Sequence, residues 1–226
     1  MCIIIINQNK KAISKEVLKN CFVNNPDGSG YSFTDGKKIY VKKFFEFDKF
    51  FSCYIKDRKK NIESIFLLHF RIATAGKINY ANCQPLLMKN TKWTLVHNGH
   101  FNGMGCDNYS DTYHFAKMLD GNLCKSIENK KLLFNSSFFR LIMEMYLGAS
   151  KIAILTKAGK VRIFNKKLFL NVEGNLYSNT SYLKKEYKIM NSDYGYVSYK
   201  GFNFEDENER EYYDKYIDEK FLKVGI

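Results

Sequence analysis

The chain has 226 residues, of which 45% are hydrophobic and 16% aromatic, a composition that supports a folded core and excludes general disorder. Its formal net charge of +13 suits weak, non-specific attraction of nucleic acid to a basic surface, although no nucleic-acid motif accompanies the charge. No apolar stretch approaches the length of a membrane span, and the first ten residues lack the features of a signal peptide. We therefore expect a cytoplasmic protein without a membrane segment.

The six cysteines are scattered without any CxxC pair, which argues against a ribbon-type zinc site and against a disulfide framework. Cys83, His97, His100 and Cys106 lie within one short stretch, but their spacing matches no standard zinc pattern. We expect reduced thiols, no metal and no cofactor.

The first half of the chain combines strands with two helices. Residues 3–6 are four isoleucines, a β-branched run that is typical of a buried central strand. Ser14 is a candidate helix cap, and the "DG" at 35–36 is typical of a hairpin turn. The patterns predict a helix over 14–23, a hairpin over 31–44, a helix over 47–60, and strands over 64–74 and 92–99.

The second half adds a helical layer and more strands. Strands, then helices, then strands indicate an α+β fold in which sheets pack with helices, rather than a regular βαβ array. After residue 185 the composition turns to Tyr, Lys, Glu and Asp, and the run from Glu205 suggests a terminal amphipathic helix. We therefore divide the chain into a domain at 1–185 and an extension at 186–226. The patterns predict helices over 110–119, 125–134 and 137–147, a hairpin of 151–156 and 160–164, and a last strand over 175–183.

Cys2 directly follows the initiator methionine. If Met1 is removed, Cys2 carries both a thiol and a free α-amine, whose pKa of about 7.7–8.0 lets it accept the thiol proton near neutral pH. One residue then supplies both the nucleophile and the base, as in N-terminal nucleophile enzymes. Taken alone, Cys2 is more simply explained as a buried thiol at the start of a strand.

Three further segments place polar residues beside predicted strands or helices. Arg71 in "HFRIATAG" has a planar fork that suits a carboxylate ligand, and an exposed strand arginine is the equal alternative. In "VHNGHF", Asn98 and Gly99 form either a hairpin turn or an oxyanion hole with one side-chain and one backbone donor. Asp111 in "YSDTYHF" is either part of a helix cap or the acceptor of a substrate ammonium.

The order of these segments is more specific than any one of them. Cys2 is followed in turn by "DGSG", "HFRIATAG", "NCQP", "HNG" and "SDT", and this pattern resembles the glutaminase domain of class II glutamine amidotransferases. The resemblance covers about residues 2–185, with its specific motifs within 2–112. Because members of that family are N-terminal nucleophile hydrolases, the resemblance implies a four-layer α-β-β-α sandwich.

The resemblance also implies a role for each matching residue. Cys2 is the nucleophile, with its own amine as the base, and Asn98 and Gly99 form the oxyanion hole. Glutamine is a zwitterion that carries an amide at its far end, so its binding demands groups for a carboxylate and an ammonium. The implied substrate-binding residues are Arg71 for the carboxylate, Asp111 for the ammonium, and Thr74, Gly76 and His97 in the lining of the pocket.

Two departures from the family pattern bear on function. Large biosynthetic members begin Cys-Gly, whereas this chain has Ile3 after Cys2, which points toward small stand-alone members. The roughly 40 residues after 185 are too few for an ammonia-accepting catalytic domain. The ammonia then goes to a separate synthase or ligase subunit, or is released.

Three hypotheses follow for the function of the chain. The first is a stand-alone glutaminase or amidotransferase subunit that acts on glutamine. The second is a γ-glutamyl amidohydrolase, which has the same site and a larger small-molecule ligand. The third is a catalytically inactive binding or structural module with the same fold. The presence of a free amine on Cys2 in the mature protein separates the first two from the third.

Overall fold

The computed structural model describes residues 2–123, 125–184, 187–190 and 196–199. The chain divides into two compact units, Met1–Leu183 and Lys184–Ile226. Within the described residues, no helix combines the length and the apolar character that crossing a bilayer requires. In the second unit, strands β11 and β12 pair as a two-stranded antiparallel sheet. The strands are β1 Ile3–Asn7, β2 Ser29–Thr34, β3 Ile39–Phe44, β4 Phe66–Phe70, β5 Leu86–Met88, β6 Trp93–Asn98, β7 Lys151–Leu155, β8 Val161–Phe164, β9 Leu170–Val172, β10 Asn175–Tyr177, β11 Tyr187–Met190 and β12 Tyr196–Tyr199.

The helices of the first unit begin where the sequence supplies capping groups. The Ser14 hydroxyl accepts a hydrogen bond from the backbone N–H of Val17, and the Ser136 hydroxyl accepts one from Phe139. Each bond satisfies one of the backbone donors that the first turn of a helix leaves free. The helices are α1 Lys15–Asn24, α2 Phe47–Lys60, α3 Asp111–Leu123, α4 Ile127–Asn135 and α5 Ser137–Leu147, with a 3-10 turn at Lys166–Leu168.

Two antiparallel sheets make up the first unit. The first sheet has the order β3-β2-β4-β1-β10-β9, so the isoleucine strand β1 lies between β4 and β10. Ile4 pairs with His69 on one side, and Ile5 pairs with Tyr177 on the other. The second sheet has the order β5-β6-β7-β8. A strand with partners on both sides has no free edge, so the position that precedes Ile3 is held at a fixed place.

Buried apolar side chains form three clusters, which follow the alternation of side chains along the strands. Ile3 and Ile5 of β1 belong to an aromatic-rich cluster with α1 and α2, where Phe50 and Tyr54 are fully buried. Ile4 and Ile6 project to the other face, into a cluster that also holds Val96 of β6. The third cluster joins the second sheet to α3, α4 and α5.

The α+β class is confirmed, since the described chain combines helices with antiparallel sheets. The last predicted strand, 175–183, is shorter than expected, because β10 ends at Tyr177 and Ser178 leaves the strand to make side-chain bonds. The predicted helix from Glu205 lies outside the described residues. The division into a domain at 1–185 and an extension at 186–226 stays a prediction.

Candidate active site

Cys2 lies immediately before β1, which begins at Ile3. Its thiol is half-buried and donates a hydrogen bond to the carbonyl of Ile72 at 3.4 Å. Burial raises the pKa of the Cys2 thiol, and the nearby Arg71 guanidinium offsets only part of that effect. The thiol is therefore protonated at neutral pH, and a nucleophilic role requires a base beside it.

Asn98 is the last residue of β6, and its side chain points toward the first sheet. Its Nδ2 donates to the hydroxyl oxygen of Ser178 at 2.8 Å. The same hydroxyl oxygen accepts the backbone N–H of Ile4, also at 2.8 Å. Ser178 thus joins the predicted oxyanion residue to the strand that carries Cys2, at a point two residues from the thiol.

Gly99 has no room for a side chain. Its φ of 153° lies in the region that favours glycine, and a Cβ there would stand 2.0 Å from the Ser150 hydroxyl oxygen. The Ser150 hydroxyl accepts the backbone N–H of His100 at 3.2 Å, which holds the turn after Gly99. The alternative hairpin turn at Asn98 and Gly99 is wrong, because the chain passes from β6 through a loop to α3.

Arg71 is buried directly after β4, where it organises the loop that follows. Its guanidinium donates to the carbonyls of Ala75 at 2.7 Å, Lys77 at 3.2 Å and Gly76 at 3.3 Å. Its backbone is also paired, since its N–H donates to Gly28 at 2.7 Å. The described bonds of Arg71 therefore go to the loop itself, and its predicted carboxylate contact stays a prediction.

The loop after Arg71 is closed against the segment before α3. Thr74 is exposed on this loop. Gly76 has a φ of 70°, and a Cβ there would stand 2.5 Å from the backbone nitrogen of Ser110. Asn82 is fully buried and bonds both sides, donating to Lys77 and Asn108 at 2.8 Å each and accepting from Ser110 at 2.9 Å. The predicted Arg71 and Asp111 segments are thereby brought together.

Asp111 begins α3 and holds the loop that follows Gly99. Its Oδ2 accepts the backbone N–H of Phe101 at 2.7 Å, and its Oδ1 accepts that of Thr112 at 2.6 Å. The Nδ1 of the largely exposed His100 lies 3.3 Å from Oδ2. A buried carboxylate with an exposed imidazole beside it has the chemistry of the predicted ammonium acceptor.

His97 lies on the opposite face of β6 from Asn98. Its ring stacks on Phe101 with centroids 4.3 Å apart, and its Nδ1 lies 2.8 Å from the Thr112 hydroxyl oxygen. Burial disfavours the imidazolium and lowers the pKa of His97 to about 4. The structure thus places His97 beneath the loop that carries Phe101, and its predicted role in substrate binding stays a prediction.

Several polar residues of this region had no role in the sequence interpretation. Asp27, in the motif "DGSG", accepts the backbone N–H of Ala73 at 2.7 Å. Gln84 accepts the N–H of His97 at 2.6 Å, and Asn179 donates to the carbonyl of Cys2 at 2.7 Å. The sequence signals that could have indicated Gln84 and Asn179 are the polar segments "NCQP" and "SNTS", which lie beside strands.

The described residues contain no cluster of three His, Cys, Asp or Glu side chains that could hold a metal ion. The described cysteines 2, 21, 53, 83 and 106 carry free thiols. The candidate chemistry of this region is therefore that of a thiol, an asparagine amide and backbone donors.

No protein-family model matches the chain, and no curated protein sequence matches it. Among solved structures, it is similar to glutamine phosphoribosylpyrophosphate amidotransferase from B. subtilis in complex with ADP and GMP, at 19% identity and a TM-score of 0.44 over 78% of this chain. A second, an allosteric regulatory enzyme of purine biosynthesis, has 20% identity and a TM-score of 0.44. The chain spans 41% of the length of either structure. The first is an amidotransferase, the kind of protein that the sequence motifs resemble, and the likeness is distant.

Proposed function

We propose that the protein is a cysteine amidohydrolase of the class II glutamine amidotransferase type, which cleaves the side-chain amide of glutamine through Cys2. The observation that carries the proposal is the Ser178 bridge, which ties the Asn98 amide to the strand that bears the thiol. A nucleophile and an amide donor held on facing sheets are the minimum that acyl transfer to a thiol requires.

In the proposed reaction, the free α-amine of Cys2 takes the thiol proton, because burial keeps the thiol protonated otherwise. The sulfur forms a bond to the amide carbonyl carbon, and the oxyanion is bound by the side chain of Asn98 and the backbone N–H of Gly99. The amine returns its proton to the leaving nitrogen and ammonia departs. Water then hydrolyses the γ-glutamyl thioester, so glutamine and water give glutamate and ammonia.

The proposed substrate-binding residues surround the same loops. Asp111 accepts the α-ammonium, where it displaces the contact with His100. Three of the five N–H groups of Arg71 are used by loop carbonyls, and the remaining ones bind the α-carboxylate. Thr74, Gly76 and His97 complete the pocket or support it.

We also propose the four-layer α-β-β-α arrangement of N-terminal nucleophile hydrolases for the domain at 1–185. Its support is the set of three apolar clusters, one between helices and the first sheet, one shared by the two sheets, and one between the second sheet and helices. The ammonia passes to a separate synthase or ligase subunit or is released, and the extension at 186–226 is the proposed contact for such a subunit.

A γ-glutamyl amidohydrolase with a larger substrate is the second candidate. Its substrates keep the free α-ammonium and α-carboxylate of glutamine and differ only beyond the γ-amide nitrogen, so they place the same demands on Arg71 and Asp111. Both candidates use the same nucleophile and the same oxyanion donors.

The decisive experiment compares ammonia release by the wild type and by Cys2→Ala, after intact-mass analysis has shown whether Met1 is removed. Glutamine and γ-glutamyl alkylamides are the substrates. Glutamine releases ammonia and the alkylamides release an alkylamine, so the common product glutamate is measured for both, and the ratio of their kcat/KM values separates the two candidates. We expect Cys2→Ala to abolish release, whereas Cys53→Ala, which removes another half-buried thiol, leaves it unchanged. Removal of Met1 without release above the Cys2→Ala background would overturn the proposal in favour of an inactive module.

A further inference from the structure

The amide of Asn98 has one bonded end and one end without a partner. Its Nδ2 donates to Ser178 at 2.8 Å, while its Oδ1 is buried and has no hydrogen-bond partner among the described residues. A buried amide oxygen without a partner is costly, because it has lost water and gained nothing in exchange.

The Ser178 hydroxyl shows the complementary mismatch. Ser178 is 2% exposed, and its oxygen accepts two hydrogen bonds, one from Ile4 and one from Asn98. A hydroxyl also carries one hydrogen to donate, and no acceptor for it is found within the part of the chain that the structure describes. One acceptor and one donor, on adjacent buried side chains, are therefore both unused.

A single rotation of the Asn98 amide by 180° about χ2 pairs the amide oxygen with the Ser178 hydrogen and leaves the amide N–H groups free to bind an incoming acceptor. Oδ1 then lies where Nδ2 was and accepts the hydrogen of Ser178, whose oxygen keeps its bond to Ile4. The two N–H bonds of Asn98 move to the position that Oδ1 occupied. Asn98 shares a face of β6 with Val96, which packs in one cluster with Ile4 and Ile6 of β1.

We infer that Ser178 is the positioning residue for Asn98: its hydroxyl anchors the amide oxygen and so directs an amide N–H group at the oxyanion. The inference rests on the proposed function and adds a residue to it. It also explains why the Ser178 hydroxyl bonds to both β1 and β6. The bond from Ile4 fixes Ser178 relative to the nucleophile strand, so the donor and the thiol are set from the same point.

The test compares Ser178→Ala and Ser178→Thr by ammonia release. We expect Ser178→Ala to lower kcat by about 10- to 100-fold with little change in KM. The variant misplaces the Asn98 N–H, whose bond to the oxyanion forms only in the transition state. Ser178→Thr keeps a hydroxyl and restores most of kcat. In the Asn98→Ala background, Ser178→Ala causes no further loss, because the group it positions is gone. Additive losses in the double variant, or a KM effect without a kcat effect, would overturn the inference.

Ser32 provides the matched control. It is a buried serine of β2 whose hydroxyl bonds the Thr94 hydroxyl of β6 at 2.8 Å, so it also links the two sheets. Ser32→Ala removes a buried hydroxyl bridge of the same kind at a distance of four residues along β6 from Asn98. We expect it to lower stability and to leave kcat unchanged. An equal kcat loss in Ser32→Ala would reduce Ser178 to a structural role.

A second readout does not depend on activity, so failure of the proposed function leaves this inference testable. In protein labelled with ¹³C and ¹⁵N in asparagine side chains, the Asn98 signals are assigned by their loss in Asn98→Asp. If the Asn98 carbonyl accepts the Ser178 hydrogen, Ser178→Ala shifts its ¹³Cγ resonance upfield. A change confined to the amide nitrogen and its protons would show that Ser178 is the acceptor, which contradicts the inference.

Discussion

Each end of strand β1 lies beside a buried asparagine, and the two asparagines differ in how completely their side-chain amides are bonded. At the far end, the buried Asn7 uses its whole amide. Its Nδ2 bonds Asn9 and Lys11 at 3.1 Å and Asn175 at 2.9 Å, and its Oδ1 accepts the Tyr54 hydroxyl at 2.9 Å. At the near end, the equally buried Asn98 has one bond and an oxygen without a partner.

This difference in hydrogen bonding distinguishes an asparagine that stabilises the fold from one that can bind a ligand. A saturated polar cluster gives a unique local arrangement and has no capacity left for a ligand. An unsaturated one costs stability, and it is retained where an incoming group completes it. By this criterion the Asn7 amide stabilises the fold. The Asn98 amide, in the proposed orientation with its oxygen on Ser178, presents free N–H donors, and a substrate oxygen is expected there.

The substitution expected to disrupt the region around Cys2 and Asn98 most strongly is Gly99→Ala. The new Cβ would overlap Ser150, so we expect a loss of about 2–4 kcal/mol in the free energy of unfolding and a loss of kcat of at least about 100-fold. Urea unfolding and ammonia release measure the two effects. Gly36→Ala is the control, because Gly36 also has a positive φ of 84° but no atom within 4 Å of its Cβ position. A tolerated Gly99→Ala would contradict the described packing of Ser150.

Asn7→Ala breaks the other end and should give the opposite pattern from Asn98→Ala. Several buried partners of Asn7 lose their hydrogen bonds, so we expect about 2–4 kcal/mol of destabilisation and little change in kcat of the folded protein. Asn98→Ala should cost about 10²–10³ in kcat and less than about 1 kcal/mol in stability. If Asn7→Ala and Asn98→Ala both lowered mainly the stability, or both lowered mainly kcat, the proposed difference between the two asparagines would be contradicted.

A smaller difference is sensitivity to acid. Burial lowers the pKa of His69 to about 3 and that of His97 to about 4, from an ordinary value of 6.5. Below about pH 6.5 both histidines are therefore protonated in the unfolded chain but remain neutral in the folded chain. Stability falls as the pH falls from 6.5 toward 4, by up to about 1.4 kcal/mol per pH unit for each histidine.

Urea unfolding of the wild type and of His69→Gln between pH 7 and pH 4.5 measures this slope. We expect a shallower slope in His69→Gln, whereas His114→Gln, which changes a histidine that is only half-buried, serves as the control. No such step is expected from the Asn7 cluster, whose partners are amides, carbonyls and the Tyr54 hydroxyl. Equal slopes in the wild type and His69→Gln would contradict the buried, neutral state of His69.

Most helices and longer strands could be predicted because their signals are local. The isoleucine run, the Ser14 cap and the Asp35-Gly36 turn all act within a few residues. Strands β5 and β9 were not predicted, because each has only three residues and exists through its pairing with distant partners. The same limit explains why the strand predicted over 175–183 was too long.

The candidate site could be predicted only in part for a related reason. The motifs indicated the residues that we propose to act, and the structure adds the residues that bond to them. Ser178 bonds Asn98 across 80 residues of sequence, and Asn179 bonds Cys2 across 177. Nothing local distinguishes "SNTS" from an ordinary polar loop. Arg71 shows the converse, since its bonds to its own loop were not predicted, whereas its predicted contact with a carboxylate ligand stays a prediction.

The bond between Asn179 and Cys2 also has a consequence in time. During synthesis at about 5–20 residues per second, Asn179 follows Cys2 by roughly 10–35 seconds. Strand β1 therefore emerges long before β10, Ser178 and Asn179 exist to fix its end. If the mature chain begins at Cys2, this interval lets a processing enzyme reach the peptide bond after Met1 before the fold closes around the thiol. Because β10 and Asn179 come late in the chain, Met1 would then be removed before Cys2 becomes buried.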